Sequence, residues 1–481
     1  MKEILFTSFE SLPFVKVGGL ADVVYALPKA IDKKKYNVKV ALPLFKKIKD
    51  KYKTKLKYVD KIIVNSGKIH ASASIYKYVN EGIEYLFIDN NKYYNRKEVY
   101  AYKDDDIRYS FFCLAVIEMM IKLNYYPDIC HEHDYHTSMI PAICKIKYKD
   151  NENINKIKHI FTIHNLVYQG WYKKKILKDY FGFDKKDLNN RNVLIRGYCN
   201  FMKSGICLSD AVTTVSQTYA KEIQNPKYGY GLNKLLNKNR KKLFGIVNGI
   251  DTSLFNPKTD KDIKSNYDIK NYKKRKTINK LALQKKLGLD QDKDVLLIGM
   301  VSRLTFQKGA DLFLKSMNKI LKTNVQIAIL GTGEEKLEKE FKKLSEKYKG
   351  RFAFYCGYNE ALAHKMYAGI DLLIMPSLFE PCGISQLISM RYGTLSLVRE
   401  TGGLKDTILN LNVKKRKGTG FTFKKYNSKE FYKAYLFAYT QYYKNHRNWD
   451  LLIKNSMRTD VSFTKSAKQY ENIYKLILKK A

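Results

Sequence analysis

The chain has 481 residues, 45% of them hydrophobic, and sets 89 basic against 46 acidic side chains for a formal charge of +43. That length exceeds one ordinary core and calls for two domains of roughly 200 residues or more. No apolar run reaches the ~20 residues that span a bilayer, which leaves no candidate membrane helix. The charge invites a nucleic-acid partner. Lys, however, is spread along the whole chain among abundant Asn, Ile and Tyr, and solvated faces account for that better than a binding motif does. The densest runs, Lys273-Lys274-Arg275-Lys276 and Lys414-Lys415-Arg416-Lys417, fall in segments that read as loops. The seven cysteines (113, 130, 144, 199, 207, 356 and 382) are odd in number and form no CxxC, the pattern of reduced thiols. Met1 leads straight into a strand-like segment with no space for a signal or transit peptide, so a cytoplasmic location is expected.

Ile4 to Thr7 reads as the first strand. Lys16-Val17-Gly18-Gly19-Leu20-Ala21-Asp22 follows, and Leu20, Val23, Val24, Leu27 and Ile31 share one helical face. Strand, glycine loop and helix start is the arrangement that cradles phosphate with backbone N–H groups, and Lys16 adds a mobile cation. A plain turn is the competing reading. Val38 to Leu42 is a second strand, and from there to about Tyr102 the pattern is short strands and loops. Ile107 to Leu123 is an apolar-faced helix that leads to a strand at Ile129. His131-Glu132-His133-Asp134-Tyr135-His136 has the composition of a metal site, but in a strand-to-helix turn these side chains diverge. The strand Ile160 to Ile163 ends in His164, placed either to meet a ligand or to cap the strand. Phe201 to Ser209 reads as helix, Ala211 to Val215 and Phe244 to Val247 as strands, and Asn248-Gly249-Ile250-Asp251 as a turn.

Composition shifts at Lys258, and the lysine-rich stretch to about Lys280 reads as the exit from a hinge. Strands at Val295 to Val301, Val325 to Leu330, Phe352 to Tyr355, Leu372 to Met375 and Thr394 to Val398 alternate with helices such as Lys308 to Leu321. This predicts a second doubly wound parallel sheet. Arg303 and Lys308 lie five apart in a loop at a strand's end, where a fork and a point charge suit a diphosphate, or simply solvent. The apolar run Leu372 to Met375 is a buried strand that Pro376 ends, and a helix begins near Ile384. Glu380 sits between them, either gripping a polar ligand or serving as a helix-capping turn residue. Gly383, without a Cβ, lets N–H groups at the helix start approach a ligand. Two amphipathic helices, about Phe431 to Tyr443 and Thr464 to Leu478, close the chain.

Glu380-Pro381-Cys382-Gly383-Ile384-Ser385-Gln386 closely resembles the sugar-binding loop of bacterial glycogen synthases and plant starch synthases. Lys16 to Val23 resembles the same family's Lys-Thr-Gly-Gly-Leu-Ala-Asp-Val signature, with Val17 in place of Thr. His133 to His136 is similar to its His-Asp-Trp-His, with Tyr135 for Trp, and His164 to Gly170 to its His-Asn-Leu-Ala-Tyr-Gln-Gly. Tyr228 to Leu232, Asn248 to Asp251, Val301 to Gly309 and Arg399 to Thr407 match further segments in the family's order. The resemblance implies an α/β fold of two facing Rossmann-like, doubly wound domains (GT-B type) with a cleft between them. It divides the chain at 1–250 and 251–459, with a last helix, about 460–481, packing back on the first domain. It implies glucose transfer from ADP-glucose to the non-reducing 4-hydroxyl of an α-1,4-glucan such as glycogen, with retention and without metal or other cofactor. The catalytic set it implies is Lys16, Asp134, His164, Arg303, Lys308 and Glu380. Substrate contacts fall to Gly18, Gly19, Asp22, Asn248, Cys382, Gly383, Ile384 and Ser385, with Tyr358 stacking on the adenine. A related transferase using UDP-glucose or making sucrose is one rival. A basic glucan- or RNA-binding protein with a decayed site is another, against which the intact Lys16, Arg303, Lys308 and Glu380 argue.

Overall fold

A computed structural model describes residues 1–479. The described residues divide into two compact units, 1–248 with 463–479 and 249–462. The first unit is built on a nine-stranded sheet. Its strands are β1 (Lys2–Thr7), β2 (Tyr36–Pro43), β3 (Lys57–Ser66), β4 (Ile69–Asn80), β5 (Ile83–Asp89), β6 (Ile129–His133), β7 (Lys158–Ile163), β11 (Ala211–Thr214) and β12 (Leu243–Gly245). A separate antiparallel sheet is formed by β8 (Trp171–Lys173), β9 (Leu194–Ile195) and β10 (Tyr198–Asn200). The large sheet has the order β12-β11-β7-β6-β1-β2-β5-β4-β3. It is parallel from β12 to β5, and β4 and β3 extend it antiparallel. The chain builds outward through β2 and β5, then crosses back to the other side of β1 at β6. The order therefore reverses between β1 and β6, and a ligand crevice belongs beyond the carboxyl ends of those strands.

The reading of residues 43 to 102 as short strands and loops is corrected. β3 and β4 are a long hairpin of 10 and 12 residues turning at Gly67. Much of each strand alternates buried and more exposed positions, and exposed Lys57, Lys61, Asn65, His70, Ser72 and Lys77 keep the apolar runs short. The helix Phe463–Leu478 lies on the first unit's core, burying Phe463, Ala467, Tyr470, Ile473, Tyr474 and Ile477. Tyr474 Oη bonds His131 Nδ1 at 3.1 Å, and Glu471 accepts from the Asp32 amide at 3.0 Å.

The second unit has a six-stranded parallel sheet of β13 (Leu296–Val301), β14 (Val325–Gly331), β15 (Phe352–Cys356), β16 (Leu372–Met375), β17 (Leu395–Arg399) and β18 (Phe421–Phe423). Its order is β15-β14-β13-β16-β17-β18, the doubly wound dinucleotide-fold order, which reverses between β13 and β16. Its strands β13, β14 and β16 are buried on both faces and so read as largely continuous apolar runs. The short β18 and the helix His446–Arg458 were not anticipated.

The lysine run at 273–276 is also corrected. It lies on a helix, Tyr272–Leu287, and two of its lysines face inward. Lys276 Nζ donates to Ala368 O at 2.9 Å and to Thr394 Oγ1 at 2.7 Å. Lys280, one turn on, pairs with Asp371 at 2.7 Å and donates to Lys293 O at 3.0 Å. The run at 414–417 is an exposed turn, as expected. Removing one partner of a buried ion pair leaves the other charge uncompensated. Lys280→Met is therefore expected to cost roughly 3–5 kcal/mol, measured as a lowered urea midpoint for the intact chain.

Candidate active site

In the first unit the candidate residues follow β1, β6 and β7. Glu10 lies three residues beyond β1 and is 4% exposed. One of its carboxylate oxygens accepts the amides of Val17 and Gly18, the latter at 2.8 Å, and the other accepts Tyr100 Oη at 2.8 Å. Burial raises its pKa, against the pull of those three donors. Sequence reasoning missed Glu10. Its only signal is a carboxylate among Phe9, Leu12 and Phe14 just past a strand. It also corrects one expectation, because the Gly18 amide points inward to Glu10 and is not left to cradle phosphate. Gly19 opens the helix Gly19–Ala30, and Lys16 Nζ pairs with Asp22 at 2.8 Å.

Asp134 follows β6 with φ of +59°, in the left-handed region that Asp tolerates better than most side chains. Its Oδ1 accepts the amides of His164 at 2.8 Å and Asn165 at 3.4 Å, which joins the ends of β6 and β7. Burial pushes the Asp134 carboxyl up to about 7 despite those bonds. His164 Nε2 lies 2.9 Å from His133 Nδ1, and burial pulls its pKa down to about 3, so both rings are neutral and one donates to the other. Asn248 is buried, and its Oδ1 has no partner among the described residues.

The side chains of the 131–136 segment go separate ways. His131 bonds Thr162 at 2.6 Å, Glu132 bonds His159 at 2.6 Å, and His133 meets His164. The ring of His136 stacks on Tyr100 at 4.8 Å. Among the described residues no three of these side chains converge on one point.

In the second unit the loop after β13 and the loop after β16 are bound together. Leu378 N donates to Gln307 O at 2.9 Å, and a Cβ on Gly309 would stand 2.2 Å from Pro376 O. Across this junction Lys308 Nζ donates to both oxygens of Glu380, at 2.8 and 2.7 Å, and Ser377 Oγ donates to one of them at 3.2 Å. The loop after β17 closes on the other side. Arg399 donates to the carbonyls of Ser377, at 2.7 Å, and Leu378. Gly403 N donates to Glu380 O at 3.1 Å, and a Cβ on Gly402 would fall 1.9 Å from the same oxygen. Cys382 is buried, Gly383 has φ of +77°, and Ile384 caps the helix Ser385–Arg391. Ser385 Oγ accepts Tyr367 Oη at 3.1 Å. Arg303, at the end of β13, is exposed with no side-chain partner among the described residues. Tyr358 is exposed beyond β15.

Two sheets of this order, each with its charged loops at the point of reversal, define the fold class. Residues 3–238 match the family described as starch synthase catalytic domain, and residues 279–450 match glycosyl transferases group 1. The glycogen synthase of Clostridium beijerinckii is 43% identical over 98% of both chains. That of Lachnospira eligens is 41% identical over 98% of this chain and 99% of its own. The chain belongs to the glycogen and starch synthase family. It is a glycosyltransferase of the two-Rossmann-domain type. The catalytic domain of starch synthase IV from Arabidopsis thaliana, solved with ADP and acarbose, superposes with a TM-score of 0.90 at 32% identity over 99% of both chains. The sucrose-phosphate synthase of Thermosynechococcus elongatus, at 14% identity and a TM-score of 0.62, shares the fold.

Because His164 stays neutral down to about pH 3, an acid limb of kcat/KM near pH 7 is expected to follow Asp134. Asp134→Asn keeps an oxygen for the His164 amide and suits the left-handed backbone. The limb should vanish in that variant while residual turnover persists, and a limb that stays in place assigns it elsewhere.

Proposed function

We propose that the protein extends an α-1,4-glucan such as glycogen, transferring glucose from ADP-glucose to the chain's non-reducing 4-hydroxyl with retention at the anomeric carbon. The observation that carries this reading is the grip of Lys308 on both oxygens of Glu380, at the reversal point of a nucleotide-type sheet, in a chain of this family. The ADP and acarbose held by the starch synthase IV domain support a nucleotide donor and a glucan acceptor.

Breaking the bond from C1 to the diphosphate leaves negative charge on the departing oxygen and positive charge on the sugar. Arg303 and Lys308 meet the first. An aimed donor of this kind is typically worth ~2.7–4 kcal/mol in the transition state. Lys16 adds a third cation. Glu380, His164 and Asn248 orient the sugar, and Asp134 fixes the His164 backbone. Tyr358 offers a ring to the adenine, and the 382–385 turn offers backbone amides. A double displacement requires a second carboxylate roughly 5–5.5 Å from the first. Glu10 is turned into its own loop, and Asp134 is engaged by the amides of His164 and Asn165. A same-face route fits these residues better. As the bond from C1 to the phosphate breaks, the departing phosphate oxygen takes the proton of the acceptor 4-hydroxyl, the hydroxyl oxygen bonds C1, and ADP leaves. Lysine and arginine charges fill the place a divalent ion takes in other transferases, and no cofactor enters the scheme.

ADP-glucose and UDP-glucose, each supplied with glycogen, test the reading through nucleotide release. ADP-glucose should turn over and EDTA should leave the rate unchanged. Exclusive use of UDP-glucose, or a rate abolished by EDTA and restored by a divalent ion, overturns it. Glu380→Gln should lower turnover strongly while ADP affinity is kept or increased, since Lys308 is released towards phosphate. Parallel loss of turnover and ADP binding in a calorimetric titration would place Glu380 on the nucleotide instead.

A further inference from the structure

The chain contains two tryptophans. Trp449 is packed into the second unit's core, whereas Trp171 is left 47% exposed on the small antiparallel sheet of the first unit. In that sheet Trp171 pairs with Asn200, Tyr172 with Cys199 and Lys173 with Tyr198. Alternation puts Trp171, Lys173, Tyr198 and Asn200 on one face and Tyr172 and Cys199 on the other, and Asn200, at the strand's end, is buried with its amide turned to Gln169. The second face is the packed one. Cys199 is fully buried, and Tyr172 meets the Phe201 ring edge-on at 4.8 Å. The outer face thus presents Trp171 and Tyr198, the latter 54% exposed, as diagonal neighbours. Such positions lie roughly 7–8 Å apart. Neither ring belongs to the unit's apolar core.

This face follows the proposed sugar site directly in the chain. The loop that begins at His164 runs through Gly170 directly into Trp171. Gln169 fixes the junction: its amide donates to Tyr230 O at 3.0 Å and accepts from Asn200 Nδ2 at 3.0 Å. We propose that Trp171 and Tyr198 form a platform for the acceptor glucan, holding sugar units behind the chain end being extended. This rests on the functional reading above. The C–H faces of glucose rings are apolar and meet flat aromatic surfaces, while their hydroxyls stay at the rim, within reach of Lys173 and the tyrosine hydroxyl. Trp and Tyr supply rigid amphipathic area at low entropic cost. A second hold on a polymer also raises the local concentration of its ends at the first. Two separated rings are far short of the ~1,000 Å² that a stable protein interface needs, which argues against a second copy as occupant.

The test is the double variant Trp171→Ala/Tyr198→Ala in the full chain, beside Trp171→Phe/Tyr198→Phe. In native gels cast with glycogen, the wild type and the Phe pair should be retarded and the Ala pair should run as in glycogen-free gels. The Ala pair's KM for glycogen should rise about tenfold, the change that ~1.4 kcal/mol produces, with kcat on maltotriose and the melting temperature unchanged. Equal retardation of wild type and Ala pair, no retardation of either, or an unchanged KM overturns the platform. So does retardation that RNA reproduces and salt abolishes, which marks a phosphate-driven ligand, or self-association that the Ala pair removes. If the wild type transfers no glucose to maltotriose, the functional reading fails, and the gels still decide the platform.

Discussion

Both units depend on one constraint of parallel sheets. Each strand re-enters the sheet from the same end, so the loops that follow the strands all gather at the opposite end. Where the strand order reverses, neighbouring loops leave in opposite directions and a crevice opens between them. In the first unit this brings together residues 10–22, 134 and 164, which lie far apart in sequence and follow β1, β6 and β7. In the second it brings together residues 303–309, 380 and 402–403, which follow β13, β16 and β17. The loops are then locked by contacts that only glycine permits. Gly309 lies against Pro376 O and Gly402 against Glu380 O, distances that leave no space for a Cβ. The side chain of Glu380 is thus held from behind by its own backbone.

The charges at these loops are mostly paired within their own unit. Lys16 holds Asp22, and Lys308 holds Glu380. Glu380 is nearly buried, and an unpaired carboxylate there would be costly. A phosphate that draws Lys308 away must therefore repay that pairing, and a sugar hydroxyl donating to Glu380 is the natural compensation. On the proposed reading, nucleotide and sugar would be coupled through this one ion pair, and a bare phosphate would gain less from Lys308 than a nucleotide sugar would. Arg303 stands outside this pairing, exposed and without a side-chain partner among the described residues.

Much of this was legible in the sequence, for a physical reason. Strands buried on both faces, such as β7, β13, β14 and β16, are continuous apolar runs, and the residues that end them stand out by contrast. The positions of His164, Arg303 and Glu380 past such strands stand out in that way, while the roles expected of them come from the family resemblance. The hairpin β3–β4 does not, since polar and charged residues at several exposed positions keep its apolar runs short. The helix Tyr272–Leu287 was hidden more thoroughly. Its buried positions are Tyr272, Lys276, Asn279, Lys280, Leu283 and Gln284, correct in helical spacing but largely polar. Hydrophobic periodicity is blind to a face that buries amines against carbonyls and a carboxylate. In a chain so rich in lysine, composition alone does not separate a structural lysine from a solvated one.

Glu10 shows the limit most clearly, and it changes the chemistry assigned to the glycine loop. Strand, Gly-Gly and helix start suggest a cradle of amides for an anion. A buried carboxylate under that loop already takes the amides of Val17 and Gly18. An anion on the same donors would have to displace Glu10 into its own field. The loop's side-chain cation is Lys16, next to the two amides that Glu10 holds. Val17 follows from the same arrangement. Its amide faces inward and its side chain is exposed, so a residue without a hydroxyl is compatible with the loop's internal bonding.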